Sequence, residues 1–150
     1  MEVKVKRLEA TEALRAVSLV KLFYAKEVSP QHMERFLSNP ANYLIVAEAD
    51  GNSHPAWAGF LLAYALERLK EDAHKMFIYD IEVAEEYRRQ GVGAALISHV
   101  RRIVKQEEMV GAFVFTNYSN EGAVGFYKSS GAKIVNGDDL LFAYSREGEN

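Results

Sequence analysis

The run Arg88-Arg89-Gln90-Gly91-Val92-Gly93 stands between an apolar stretch ending at Val83 and a segment where Ala94, Ala95, Leu96, Ile97, Val100, Ile103 and Val104 recur at helical spacing. This order of strand, glycine turn and helix restricts the fold more than any other feature of the chain. A glycine turn at a helix N-terminus leaves backbone N–H groups unpaired at the positive end of the helix dipole, an arrangement suited to a phosphate or pyrophosphate. Arg88 and Arg89 place positive charge just before it. The dinucleotide pattern GxGxxG fails because Leu96 occupies its third glycine position, and the P-loop pattern fails for want of Lys-Ser or Lys-Thr. What remains is RxxGxG, which taken alone is also a plain tight turn.

Around this unit the chain alternates short strand and helix signals. Val3, Val5 and Leu8 suggest a first strand, and Leu14, Val17, Leu19, Val20 and Phe23 mark an amphipathic helix over about residues 10 to 24. Ser29-Pro30 reads as an N-cap with proline at the first helical position, opening a short helix that ends near Asn39-Pro40. Tyr43 to Ala49, the turn Asp50-Gly51-Asn52-Ser53 and a run from about Trp57 to Leu66 read as a hairpin, and Glu67 to Lys75 as a solvated loop. A strand from Met76 to Val83 leads into the glycine turn, and the helix after it runs to about Glu108. Ala112 to Thr116 is a strand, Asn120 to Ser130 a helix closed by Gly131, and two last strands flank Asn136-Gly137. The pattern predicts one α+β domain over residues 1–150 with a largely antiparallel sheet.

Several classes of function fall away on composition. Cysteine is absent, which removes disulfides, thiolate nucleophiles and cysteine-based zinc sites. The four histidines, at 32, 54, 74 and 99, show no HxxxH or HExxH spacing, so no metal is expected. Eighteen Lys and Arg against twenty-one Asp and Glu give a net charge of −3, too little positive charge for phosphate-backbone binding, so nucleic acid is not an expected partner. The opening MEVKVKRLEA lacks the apolar stretch of a signal peptide and no long apolar run follows, so a cytoplasmic protein without a membrane partner is expected.

The strand before the glycine turn ends in Tyr79-Asp80-Ile81-Glu82-Val83, whose two carboxylates at i and i+2 emerge on one face. Such a pair beside an anion-binding turn suits acid/base chemistry next to a phosphate-bearing cofactor, or else forms a solvated strand edge. Thirty residues on stands Asn120-Glu121-Gly122-Ala123-Val124-Gly125-Phe126-Tyr127-Lys128-Ser129-Ser130-Gly131. The pair RRQGVG and NEGAVGFYKSSGA resembles the two cofactor-binding motifs of the GNAT superfamily of acetyl-CoA-dependent N-acetyltransferases, and the element order resembles that fold from end to end. A narrower resemblance, to the short aminoglycoside 3-N-acetyltransferases of GNAT type, lies in Phe36 to Pro40, Tyr43 to Gly51, Gly59 to Tyr64 and the Tyr-Asp-Ile-Glu-Val strand. The chain departs from the pattern in a longer hairpin over residues 52–58, in Gly122 and Gly125 inside a helix, and in Ala132 after the closing glycine.

The resemblance implies α/β/α layers around a mixed, largely antiparallel sheet of six to seven strands with a central splay. Acetyl-CoA would enter between strand Met76 to Val83 and strand Ala112 to Thr116, with backbone groups of Ile81 and Val83 along the pantetheine arm. Arg88, Arg89, Gln90, Gly91, Val92, Gly93 and Ala94 would wrap the pyrophosphate, and Asn120, Ala123, Phe126 and Tyr127 would supply the second cofactor motif. The implied reaction is direct attack of a deprotonated primary amine on the thioester. An acceptor amine is protonated at neutral pH, so a carboxylate or a water held by one must take its proton. Asp80 is favoured, and Glu82 could serve through water. The Val83 N–H would hold the oxyanion, and Tyr127 would protonate the departing thiolate.

The acceptor stays open at this point. Residues 76–150 carry eleven acids against eight bases, whereas residues 1–75 balance at ten each. If several of those acids line one cleft, their field would draw a polycationic amine such as an aminoglycoside, and the narrower resemblance implies its 3-amino group as the acceptor. A peptide, protein or polyamine amine, and a non-catalytic acetyl-CoA-binding module, are the alternatives. Apolar strand faces could also form a homodimer.

Overall fold

The computed structural model describes residues 2–49 and 56–146. In chain order the elements are β1 (Val3–Arg7), a single 3-10 turn (Ala10–Glu12), α1 (Ala13–Tyr24), α2 (Pro30–Ser38), β2 (Asn42–Ala49), β3 (Ala56–Glu67) and β4 (His74–Val83). They continue with a second 3-10 turn (Glu85–Tyr87), α3 (Val92–Gln106), β5 (Ala112–Val114) and α4 (Glu121–Ser129). The chain divides into two compact units, Met1–Phe115 and Thr116–Asn150, each described on its own below. No helix of the described residues is long and apolar enough to cross a membrane.

The first unit is built on a sheet of order β1-β2-β3-β4-β5. Its first four strands pair antiparallel, and β5 alone runs parallel to β4. β2 and β3 read as near-continuous apolar runs rather than alternating ones because helices cover both of their faces. On one face, Leu44, Val46 and Phe60 pack with Ala13, Ala16 and Leu19 of α1 and Met33 and Leu37 of α2. On the other, α3 packs against β2, β3 and β4 through its buried Val92, Leu96, Ile97 and Val100.

Local chemistry accounts for the helix ends. Ser29 caps α2 by accepting from the His32 N–H at 3.0 Å, with Pro30 next in line, as the sequence predicts. α1 ends on Ala25 in the left-handed region, whose N–H donates to Lys21 O at 3.0 Å. Leu14, predicted for the core stripe of α1, is 71% exposed, and Ala13 and Ala16 take that place because small residues let the helix approach the sheet closely. Trp57, which the sequence leaves without a role, lies on β3 under the Arg15 guanidinium, 4.6 Å from its ring centre. Arg15 is itself held by Glu48 at 2.7 Å and Glu12 at 2.9 Å.

In the second unit, α4 carries Asn120 as its N-cap and Gly131 with φ 97°, the closing glycine predicted there. The two strands expected around Asn136-Gly137 are absent among the described residues, so the sheet has five strands rather than six to seven. An isolated two-stranded hairpin is marginal in water, and here Asn136 Oδ1 instead accepts from the Asp138 N–H at 3.0 Å. The tip of the first hairpin, Asp50-Gly51-Asn52-Ser53 with His54, lies outside the described residues, as does most of the 52–58 extension. Its two strands pair as predicted, from Asn42 opposite Tyr64 to Ala49 opposite Ala56.

Candidate active site

The site follows from how β4 loses its neighbours. Met76, Phe77 and Ile78 pair with Ala112, Phe113 and Val114 of β5, and there the parallel ladder stops. On its other side β4 stays paired with β3 as far as Val83 opposite Gly59. From Tyr79 to Val83 no strand of the first unit pairs with β4 on the β5 side, which leaves an open strand edge where the resemblance implies a splay. The Ala84 N–H donates to Ala58 O at 2.8 Å, so strand alternation turns the N–H and C=O of Val83 and Ile81 away from β3 and towards that open edge.

At the same place β4 carries a bulge. Asp80 lies opposite Leu62 and Ile78 opposite Ala63, which leaves Tyr79 as the extra residue. A bulge breaks alternation and re-aims side chains. Leu62 and Phe60 face α1 and α2, and their partners across the ladder, Asp80 and Glu82, share that face. The Tyr79 ring meets Tyr64 and Phe77 edge-on at 5.7 and 5.8 Å, so it too is on this side. The carboxylates at i and i+2 thus share one face, as the sequence implies, and a tyrosine stands immediately beside them.

Tyr24, the last residue of α1, donates its phenolic hydrogen to Asp80 Oδ2. Burial, then the Asp80 carboxylate and the nearby Glu82, push the Tyr24 phenol far above its ordinary range, so its proton stays in place. Burial, followed by the charge of Asp80, also pushes the Glu82 carboxyl up, with Arg88 pulling the other way. Burial and the neighbouring Tyr79 push the Tyr64 phenol up. Sequence reading missed Tyr24 because its partner lies 56 residues away, and the apolar spacing of α1 treats the tyrosine as its frayed end.

The glycine turn opens α3. Arg89 has φ 61° and Gly91 φ 84°, and Gly91 caps α3 with no side-chain acceptor. The Val92, Gly93 and Ala94 N–H groups at the helix start thus have no intrahelical partners. The Val92 side chain is buried under the sheet and contributes only its backbone here. Arg88 Nε donates to Val83 O at 3.1 Å and Gln90 Nε2 to Glu86 O at 3.0 Å, so both side chains brace the turn. Gly59 allows this close approach: a Cβ there would sit 2.6 Å from Glu82 O. The uncapped α3 start and the open edge of β4 fit a cofactor with an anionic and an amide-bearing portion.

The structure brings together Asp80, Ile81, Glu82, Val83 and the turn Arg88 to Ala94 in the first unit. In the second, Asn120, Ala123, Phe126 and Tyr127 lie on or beside α4. Asn120 Oδ1 accepts from the Ala123 N–H at 3.1 Å, which makes this asparagine the helix cap, and the Phe126 and Tyr127 rings lie 5.4 Å apart. Among the described residues no three His, Asp or Glu side chains gather as a metal ion would require.

A mixed sheet whose parallel pair ends at Ile78 and Val114, beside a glycine turn and an uncapped helix start, offers a strand edge and an anion site close together. The chain belongs to the GNAT family of acetyltransferases, whose family model, Acetyltransferase (GNAT) family, matches residues 11–132. It is therefore an acyltransferase of a family that uses acetyl-CoA. No curated protein sequence matches the chain. Among solved structures, the aminoglycoside acetyltransferase meta-AAC0020 from an uncultured soil metagenomic sample, in complex with sisomicin, has a TM-score of 0.85 at 23% identity over 95% of each chain. AAC(6')-Iy in complex with a bisubstrate analogue has a TM-score of 0.77 at 18% identity, covering 97% of this chain and 99% of that one. A ribosomal-protein-alanine N-acetyltransferase from Brucella melitensis biovar Abortus 2308 has a TM-score of 0.75 at 18% identity, covering 96% of this chain and 100% of that one. At these identities the likeness is one of fold.

Proposed function

We propose that this enzyme acetylates an amino group of an aminoglycoside, the 3-amine, using acetyl-CoA. The observation that carries this reading is the pair Asp80 and Glu82 on one face of β4, next to the open strand edge. Two carboxylates there match an acceptor that arrives as an ammonium ion and must lose a proton before it can act as a nucleophile. The solved structures of similar fold in complex with sisomicin and with a bisubstrate analogue support the same acceptor class.

Acetyl-CoA, when bound, supplies the acetyl thioester. The N–H groups of Val92, Gly93 and Ala94 bind its pyrophosphate at the α3 N-terminus, with the backbone of Arg88, Arg89, Gln90 and Gly91 wrapping the turn. Backbone groups of Ile81 and Val83 on the open edge of β4 orient the pantetheine arm. Asp80, held by Tyr24, takes the ammonium proton, and Glu82 is the alternative base, acting through water. The Val83 N–H holds charge that develops on the acetyl oxygen, a role whose loss typically costs about 3–4 kcal/mol. By the resemblance Asn120, Ala123, Phe126 and Tyr127 would serve the cofactor, and the Tyr127 hydroxyl would give the departing thiolate its proton. We place both units within one acetyltransferase domain, which the family match across residues 11–132 supports.

The test is thiol release from acetyl-CoA with a gentamicin-like aminoglycoside, spermidine and lysine-containing peptides as acceptors, followed by mass spectrometry of the product. Acetylation at the aminoglycoside 3-amine, lost at least a hundredfold in the Asp80→Asn, Glu82→Gln double variant, is the expected result. Transfer confined to a peptide or to spermidine would replace the acceptor, and a double variant within a few-fold of wild type would remove the acid/base role.

A further inference from the structure

The bulge of β4 re-aims Tyr79. It leaves Tyr79 pointing to the same side as Asp80, 61% exposed, although large aromatic side chains are among the most favourable to bury. The ring is nevertheless held in place. Tyr64 on β3 meets it at 5.7 Å and 76°, and Phe77 meets it at 5.8 Å and 79°. Tyr64 is braced in turn by Phe36 of α2 at 6.3 Å and 82°. These are edge-to-face contacts, the geometry rings prefer, and they fix the orientation of Tyr79 without burying it. An immobilised, exposed aromatic ring loses little conformational entropy when something lies on it, which is why rigid tyrosines recur at recognition sites.

We propose that Tyr79, braced by Tyr64 and Phe77, determines acceptor specificity: its ring is a platform for the flat face of a cyclic amine whose ammonium group is received by Asp80 and Glu82. The inference rests on the acetyl-transfer reading above and goes beyond it in naming what selects the amine. A saturated or aromatic ring presents a rigid apolar face to Tyr79 while its amino substituent reaches the carboxylates, and the ammonium also gains from nearby tyrosine faces. An acyclic polyamine of equal charge satisfies Asp80 and Glu82 but must order a flexible chain to cover the same ring. Electrostatics draws both amines to the site, and the platform separates them.

The experiment compares wild type, Tyr79→Ala and Tyr79→Phe with sisomicin and with spermidine as acceptors, alongside acetyl-CoA binding and thermal melting as checks on folding. Wild type is expected to favour sisomicin at least tenfold in kcat/KM. Tyr79→Ala should raise KM for sisomicin at least tenfold with kcat within about twofold, and shrink that preference by a similar factor, whereas Tyr79→Phe keeps it. Equal losses on both acceptors, or none on either, would overturn the platform while leaving aminoglycoside acetylation standing. If sisomicin is not acetylated but another cyclic amine such as tryptamine is, with the same dependence on Tyr79, the platform stands and the aminoglycoside reading falls. A wild type that prefers spermidine to every cyclic amine overturns the platform outright.

Discussion

Tyr24, at the C-terminus of α1, donates its phenolic hydrogen to Oδ2 of Asp80 at the bulge of β4, joining a helix end to the carboxylate pair across 56 residues of chain. The contact occupies Oδ2 of Asp80, and in the proposed reaction the other oxygen takes the acceptor's proton. Since Tyr24 touches Asp80 rather than any reacting atom, it is a positioning residue.

Tyr24→Phe keeps the ring that lies 5.7 Å from Phe60 and removes only the hydroxyl. A hydrogen bond to a charged group is worth about 1.5–3 kcal/mol when buried, and partial exposure here brings it towards 1 kcal/mol. The variant should therefore lose roughly fivefold to tenfold in kcat, with KM for acetyl-CoA unchanged. Steady-state kinetics in both substrates checks this split, and a loss confined to the acetyl-CoA KM would contradict it.

Glu82 links activity to stability. Its carboxyl is pushed above the ordinary 4.5 mainly by burial and then by Asp80, so the folded protein holds the proton more tightly than the unfolded chain. Stability is then highest below that ordinary value and falls as pH rises through the elevated one. Glu82→Gln abolishes this dependence. The variant should melt at a higher temperature than wild type at pH 8 and show a smaller difference near pH 4, measurable by calorimetry across that range, even as transfer activity declines.

Gly59 is required by space rather than by backbone angle. An added Cβ would meet Glu82 O at 2.6 Å, Val83 Cα at 3.3 Å and Val92 Cγ1 at 3.3 Å, and two of those three atoms are backbone. β3 and β4 must separate to admit it, at a cost of about 1–3 kcal/mol for an overpacked core position. Gly59→Ala should lower the melting temperature and depress kcat/KM beyond what the stability loss alone explains, because the displaced atoms carry Glu82 and Val83. Circular dichroism melts together with kinetics well below the transition separate the two effects.

How far the sequence reveals this site depends on the range of the interactions involved. Local signals carry over: Ser29-Pro30 opens α2, Gly131 closes α4, and the glycine turn opens α3, since each depends on residues within one helical turn. The common face of Asp80 and Glu82 carries over because both follow the bulge, where alternation is intact. The bulge itself is invisible in a single strand, being a relation between Tyr79 and the Leu62/Ala63 step on β3. Tyr24 is hidden for the same reason, its role lying wholly in a distant partner. The strands expected after Gly131 fail because short apolar runs around Asn136-Gly137-Asp138-Asp139 do not dictate pairing, and Leu14 fails because periodicity alone does not say which of two adjacent helical stripes meets the sheet.

Gly91 tests the anion-binding turn by a route that Gly59 does not share. A Cβ at Gly91 meets nothing within 4 Å, so the space is free and only the backbone angle, φ 84°, resists substitution. Alanine in the left-handed region costs roughly 1–2 kcal/mol, whereas asparagine tolerates it better. Gly91→Ala should therefore tilt the start of α3, reduce stability and weaken acetyl-CoA binding about tenfold, while Gly91→Asn recovers most of both. Calorimetric titration with acetyl-CoA measures the two variants directly. Equal weakening in both would mean that the turn rejects any side chain at this position, leaving its left-handed backbone irrelevant to the cofactor.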